Sequence, residues 1–199
     1  MKLLKKETAV PEIKLFERQW ITGKGCPKML TGFLYNKKRQ QTEFALKQTV
    51  PSKDRFSGTL VVRINELDGT YDHPIQFGDE LHGVDFTCHS RLRKNRKKKI
   101  QYANGDEIEV DLTRRDNPLL WIRVDPFCNW GPFIEFRQPE YMWIYQLEMD
   151  RDVIAQFQAI KSLCVSPTIN SSNALADVLK NPRFLFLFSL FFSILLFQF

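Results

Sequence analysis

Apolar and polar positions alternate through most of this chain and change period once, near residue 140. Ile13 to Ile21 (IKLFERQWI) reads as a first strand, followed by a loop from Gly23 to Pro27. Met29–Tyr35 and Thr42–Gln48 read as two strands joined by the polar tight turn Asn36-Lys37-Lys38-Arg39. In the second, Phe44 and Leu46 alternate with polar neighbours, the signature of a half-buried antiparallel strand. Pro51–Phe56 is a loop. Gly58–Leu67 and Tyr71–Phe77 follow, with Asp68-Gly69 between them, a dipeptide suited to the positive φ of a tight hairpin. Gly78–Leu81 turns again, and Val84, Phe86 and Cys88 alternate along a further short strand. Ile100 and Tyr102 lead into Asn104-Gly105, a second hairpin signal, and Ile108, Val110 and Leu112 return from it. With Pro118–Val124 and Phe133–Phe136 the count reaches nine or ten strands, spaced as in an antiparallel β-sandwich or barrel.

The period then lengthens. From Tyr141, apolar side chains recur at Met142/Trp143, Leu147, Val153/Ile154, Phe157, Ile160 and Cys164, which predicts one helix from 140 to 163 with a single buried face. Pro139 suits its first turn, and Glu140 adds a favourable charge at the positive end of the dipole. After the loop Ser166–Ser172, Ser172 or Asn173 is the expected N-cap of a short helix, Ala174–Lys180. The fold class expected is therefore mainly β followed by α. Residues 1–12 form a polar stub or linker, 13–137 the β-sandwich, 138–182 the first helices of a helical region, and 183–199 a separate hydrophobic tail. Trp121 and Trp143 are expected to be largely buried where strand run and helix face meet.

The tail FLFLFSLFFSILLFQF (184–199) has no charge and no amphipathic period. As a helix it would span about 24 Å, short of the roughly 30 Å hydrocarbon core of a bilayer. It is read as a non-native end, such as translated intron or a shifted frame, with a membrane segment and a buried helix as alternatives. At the other end, Met1-Lys2-Leu3-Leu4-Lys5-Lys6 is charged at once and lacks the apolar core of a secretory signal. Cys26, Cys88, Cys128 and Cys164 are widely spaced and are read as free thiols of a reducing compartment.

Net charge is +6, and seven basic residues fall between Arg91 and Lys99, so the remainder is close to neutral. That run, RLRKNRKKK, is either a solvated loop of mutually repelling charges or a contact to an acidic surface. Nucleic-acid phosphates, an acidic protein and a nuclear import receptor all fit the second description. No aromatics interleave with the charges, which argues against stacking on single-stranded bases. A catalytic constellation is not legible. His73, His82 and His89 have no paired ligand spacing. Cys88 and His89 are adjacent and would point to opposite faces of a strand. Asp79/Glu80 and Asp106/Glu107 sit in turns, where solvated carboxylates are ordinary. No H-E-x-x-H, G-x-S-x-G or phosphate-binding glycine loop occurs. No catalytic residue, metal ligand or cofactor is assigned.

The segments KLFERQW (14–20), INELDGTYDHPIQ (64–76), CHSRLRKNRKKK (88–99), PLLWIRVDP (118–126) and YMWIYQLEMDRDVIAQ (141–156) resemble subunit 2 of the general transcription factor TFIID, a TATA-binding-protein-associated factor. The likeness covers about Ile13 to Pro182. It implies an architecture similar to zinc aminopeptidases, in which the β-sandwich is the third domain and leads into helical repeats, with the catalytic-like domains upstream. It also implies a non-enzymatic role in RNA polymerase II transcription initiation in the nucleus, with core-promoter DNA and other TFIID subunits as partners and the membrane not among them. On that reading Arg91, Arg93, Lys94, Arg96, Lys97, Lys98 and Lys99 are the expected contact to phosphate or an acidic subunit, an assignment made from charge and position. The family's catalytic-like domains lie upstream of Met1 and the tail stands where its helices continue, so the chain reads as a fragment or a mis-spliced product. CNWGP (128–132) also departs from the pattern but, as a loop, affects little. The alternatives are a non-catalytic portion of a zinc aminopeptidase and a tail-anchored membrane protein.

Deleting 184–199 is expected to raise soluble yield and leave the circular dichroism of the β region unchanged, because an uncharged run of this composition exposes apolar surface. Unfolding of the β region on deletion would instead make the tail part of the core.

Overall fold

A computed structural model of the chain describes residues 17–23, 27–49, 55–91, 97–101, 103, 105–111, 116–130 and 134–180. Among these residues nine strands precede three helices. The strands are β1 (Lys28–Asn36), β2 (Gln41–Thr49), β3 (Gly58–Glu66), β4 (Gly69–Phe77), β5 (Leu81–Thr87), β6 (Lys97–Gln101), β7 (Glu107–Asp111), β8 (Leu119–Val124) and β9 (Ile134–Phe136). The helices are α1 (Glu140–Met149), α2 (Val153–Val165) and α3 (Ile169–Leu179). Hydrogen bonding orders the strands as β5–β2–β1–β9, β4–β3–β8 and β6–β7. The chain divides into two compact units. One holds Met1–Arg63, Tyr71–Cys88 and Val124–Arg137, the other Ile64–Thr70, His89–Arg123 and Gln138–Phe199.

In the first unit the turn at residues 37–40 sets the register of β1 on β2, from Asn36↔Gln41 to Lys28↔Thr49. Because the side-chain period is two, that register commits Met29, Thr31, Phe44, Leu46 and Gln48 to one buried face. Gln48 is satisfied inside this face. Its Nε2 donates to the carbonyls of Phe56 (3.0 Å) and Asp79 (2.8 Å), and its Oε1 accepts from Phe56 N–H (3.2 Å). β9 joins β1 in parallel, Met29↔Ile134 to Thr31↔Phe136, the one parallel pairing in the four-stranded sheet.

The expected first strand is not one. Glu17–Ile21 forms a single π-helical turn, and residues 13–16 lie outside the described ones. Trp20 explains the difference. Its ring sits 5.2 Å from Phe56 and 5.8 Å from Trp130, while Phe77 meets Trp130 at 4.8 Å. An aromatic cluster, with Gln19 Nε2 donating to Arg55 O at 3.0 Å, holds this segment in place of a strand ladder. Trp130 in turn donates Nε1–H to Thr59 O (2.7 Å), and its backbone N–H to the Asp125 carboxylate (2.8 Å). The hairpin between β3 and β4 turns at Leu67-Asp68, one residue before the Asp68-Gly69 expected.

In the second unit the single helix expected over 140–163 is broken at residues 150–152. Asp150 leaves helical geometry at ψ 131°, and its Oδ1 accepts from Asp152 N–H at 3.0 Å. Asp152 then caps α2, its Oδ1 accepting from Ile154 N–H at 3.0 Å. Short aspartates that bond the nearby backbone offer it an alternative to the helical ladder. The break resets the phase. The buried face of α2 is Ala155, Gln156, Ala159 and Leu163, while Ile154 and Phe157 are 44% and 41% exposed and Cys164 is exposed. The buried alanines suit close approach of backbones. Leu147, Ala159 and Leu163 form a buried cluster against which Trp143, Ile144, Ile160, Leu175 and Val178 pack. Trp143 is half-buried there rather than largely buried, whereas Trp121 is 7% exposed.

Pro139 is the N-cap of α1, one position before the first turn, and Glu140 opens the helix. α3 starts at Ile169 rather than Ala174, because Thr168 and Ser171 make a reciprocal capping box. Its two bonds are Ser171 N–H to Thr168 Oγ1 (3.1 Å) and Thr168 N–H to Ser171 Oγ (2.8 Å). No described helix is long and apolar enough to cross a membrane, and the tail lies outside the described residues.

Gly58 lies directly beneath Trp130, where an added Cβ would stand 2.6 Å from ring atom Cη2. Gly58→Ala is expected to destabilise the chain by about 1–3 kcal/mol, as overpacking does. Denaturant unfolding checks it, and a cost below about 0.5 kcal/mol would show the indole to be free to move.

Candidate functional site

The basic run is partly strand. Lys97, Lys98 and Lys99 belong to β6, so the reading of 91–99 as one solvated loop fails over its last third. Alternation does not reveal this, since three consecutive lysines carry no period-two signal. The partner strand β7, EIEVD, carries the counter-charge. The antiparallel register sets Lys97 opposite Asp111, Lys98 opposite Val110, Lys99 opposite Glu109 and Gln101 opposite Glu107. Lys99 Nζ reaches the Glu107 carboxylate diagonally at 3.4 Å, an exposed pair of 74% and 52% side-chain accessibility. Such a pair contributes little to stability, but cross-strand opposites select this pairing over others. Gly105, at φ 98°, supplies the left-handed residue between the strands, which agrees with the Asn104-Gly105 signal; Asn104 itself lies outside the described residues.

Upstream, Arg91 is exposed, and Arg93, Lys94 and Arg96 fall outside the described residues. The seven expected contact residues therefore divide. Three sit on a strand whose partner carries three acids, and four precede it. The reading of Asp106/Glu107 as a solvated turn pair is corrected in part, since Glu107 begins β7 and pairs with Lys99. The charge alternation in EIEVD was the signal that could have shown this.

Other candidate groups do structural work where they are described. The ring of His73 stacks on Phe86 at 4.5 Å and 26°. His82 lies within β5. The Glu66 carboxylate, 3% exposed, accepts the backbone N–H groups of His89 (2.9 Å) and Ser90 (2.6 Å), which fixes the chain as it enters the basic run. Glu80 pairs with Arg55 at 3.2 Å on the surface. Cys88 is buried, Cys128 and Cys164 are exposed, and Cys26 is outside the described residues. Among the described residues no three of His, Cys, Asp and Glu gather as a metal-ligating group.

Known proteins resemble this chain. The family model described as the TAF2 Ig-like domain matches residues 24–139, and the model for TAF2-like TPR repeats matches residues 140–190. Transcription initiation factor TFIID subunit 2 of Gallus gallus is 40% identical over 176 residues, covering 86% of this chain and 15% of that protein. The Danio rerio protein of that name is 39% identical over 83% of this chain and 14% of its own length. The Drosophila melanogaster one is 38% identical over 86% and 14%. The chain thus spans about 15% of the length of these relatives. Among solved structures, Legionella pneumophila aminopeptidase A superposes with a TM-score of 0.59 at 9% identity, over 92% of this chain and 20% of that one, a likeness of fold alone.

Proposed function

The chain belongs to the TFIID subunit 2 family, and from that premise we propose that it is a non-catalytic module of that transcription factor, acting in the nucleus in initiation by RNA polymerase II. In this reading, residues 13–137 are the β-sandwich that carries a basic contact and residues 138–182 begin a helical region that other TFIID subunits engage. The aminopeptidase-like fold is used as scaffold. The stretch carries no H-E-x-x-H sequence, the pattern that puts two zinc ligands and a general base on one helix face.

The basic run supplies the contact to core-promoter DNA. The observation that carries this is the division of its charge. Lys97 and Lys99 have acids across the β6–β7 register and Lys98 has Val110, whereas Arg91, Arg93, Lys94 and Arg96 precede the paired strands. The strands hold one end of the run in place while the four upstream cations supply the phosphate contact. Phosphate contacts position a protein and carry no sequence information, so binding by this stretch is weak and indifferent to sequence.

A salt titration on two unrelated duplexes tests the proposal. With four phosphates neutralised, log K should fall with log salt at a slope near about −3.6, from roughly −0.9 per contact. Replacing Arg91, Arg93, Lys94 and Arg96 by Ala should flatten the slope by about three units, and replacing Lys97, Lys98 and Lys99 by Ala by about one or less. Equal effects of the two variants would contradict the division. An unchanged slope in the first would remove DNA and favour an acidic protein surface.

A further inference from the structure

The four-stranded sheet of the first unit has a second face, on which exposed leucines stand among charged side chains. Leu30 and Leu34 on β1 and Leu81 on β5 are 46%, 65% and 67% exposed. Register places them in two rows that run across the strands. One row is Glu135, Leu30, Lys47 and Leu81, the other Leu34, Glu43 and Asp85. The rows stand four residues apart on each long strand, about 13 Å at the usual rise. Between them lie Gly32, Ala45 and Gly83, so nothing larger than a methyl group rises from the floor. A Cβ built on Gly32 meets no atom within 4 Å, and one on Gly83 meets only the Phe44 carbonyl, at 4.0 Å. The fold therefore does not demand glycine at either place. Antiparallel sheets often leave one face to water, but such faces are usually lined by polar side chains.

The two rows stand about 13 Å apart backbone to backbone, so the trough between their side chains takes one side of an α-helix, whose diameter with side chains is about 10–12 Å. Its walls differ in sign. Lys47 stands in one, with Lys28 on the same face at the end of β1. Glu43 and Asp85 stand in the other. Glu135 at the end of the first wall is offset by its own ion pair with Arg137, at 2.8 Å. We propose that this face docks an amphipathic helix of a protein partner, laid across β1, β2 and β5. Its apolar stripe meets Leu30, Leu34 and Leu81 over the Ala45 floor. One flank of the stripe is acidic, facing Lys47, and the other is basic, facing Glu43 and Asp85. An interface of this small size is weak alone and acts as one element of a larger assembly. The proposal stands on the sheet face and does not draw on the reading of the basic run, so failure of either leaves the other untouched.

Three synthetic helical peptides with one leucine stripe test it on the full chain by fluorescence anisotropy. One carries glutamates along one flank and lysines along the other, the second glutamates on both, and the third lysines on both. The mixed peptide should bind with Kd on the order of 100 µM and at least fivefold tighter than either single-sign peptide, a margin that shrinks with salt. Ala45→Arg, which fills the floor, should weaken it at least tenfold. Leu81→Ser, at a solvent-facing position that folding does not need, should weaken it at least threefold. Equal binding by the three peptides, or binding unchanged in both variants, would overturn the proposal. So would self-association of the chain that Ala45→Arg abolishes, because a second copy would then be the occupant.

Discussion

Arg123 places a guanidinium inside β8 at 2% exposure, and a cation withdrawn from water is tolerable only where anions and hydrogen-bond acceptors meet it. Both anions come from the residues that end one helix and begin the next. Arg123 Nη2 lies 2.7 Å from Asp152 Oδ2, and Nη1 lies 3.6 Å from Asp150 Oδ2. The same Asp150 oxygen accepts Trp121 Nε1–H at 3.2 Å. A parallel chain of amides runs beside this pair. Ile122 N–H donates to Gln138 Oε1, Gln138 Nε2 to Gln146 Oε1, and Gln146 Nε2 to the Ala155 carbonyl, at 3.1, 3.0 and 2.9 Å. Strand β8, helix α1 and helix α2 are thus linked by groups that would each be orphaned if the others moved. The passage from sheet to helix is fixed by polar chemistry, and the apolar cluster around Leu147, Ala159 and Leu163 packs on the geometry so set.

The same node explains what was legible in the sequence. Strands with one buried face, β1 to β5, follow from alternation and turn residues, because period two is a local property. β8 was visible as an apolar run, and its arginine was the clue to a partner elsewhere, since a buried cation cannot be left unpaired. The single helix over 140–163 was a wrong period reading. Ile154, Phe157 and Cys164 continue the spacing of Met142 and Leu147 on paper, but Asp150 and Asp152 bond the backbone and rotate the buried face to Ala155 and Ala159. Alanine is a weak hydrophobicity signal, so a face built on it is hard to see. Glu17–Ile21 failed for a related reason, since its aromatic composition reads as strand while Trp20 serves a cluster formed by distant Phe56 and Trp130.

Of the candidate site, the run Arg91–Lys99 was evident from charge alone, but its division was not. Which lysines have acids opposite depends on the β6–β7 register, and Asn104-Gly105 with the alternation of Ile108 and Val110 indicated the hairpin but not that register. The exposed sheet face was less visible still. Leu30, Leu34 and Leu81 look like core residues until the register shows that Met29, Thr31, Phe44 and Leu46 hold the buried side. Family membership agrees with both the sheets and the helices.

The account rests on coupling between β8 and the helix break, and a double-mutant cycle on Arg123 and Asp152 measures it directly. Arg123→Ala, Asp152→Ala and the double variant are unfolded in denaturant beside the parent chain. A coupling of about 1.5–3 kcal/mol is expected, with Arg123→Ala the costlier single change because it leaves Asp150 and Asp152 without their cation. Additive effects, with coupling below about 0.5 kcal/mol, would contradict the account. The two residues would then be neighbours and not the link that sets where the helices begin.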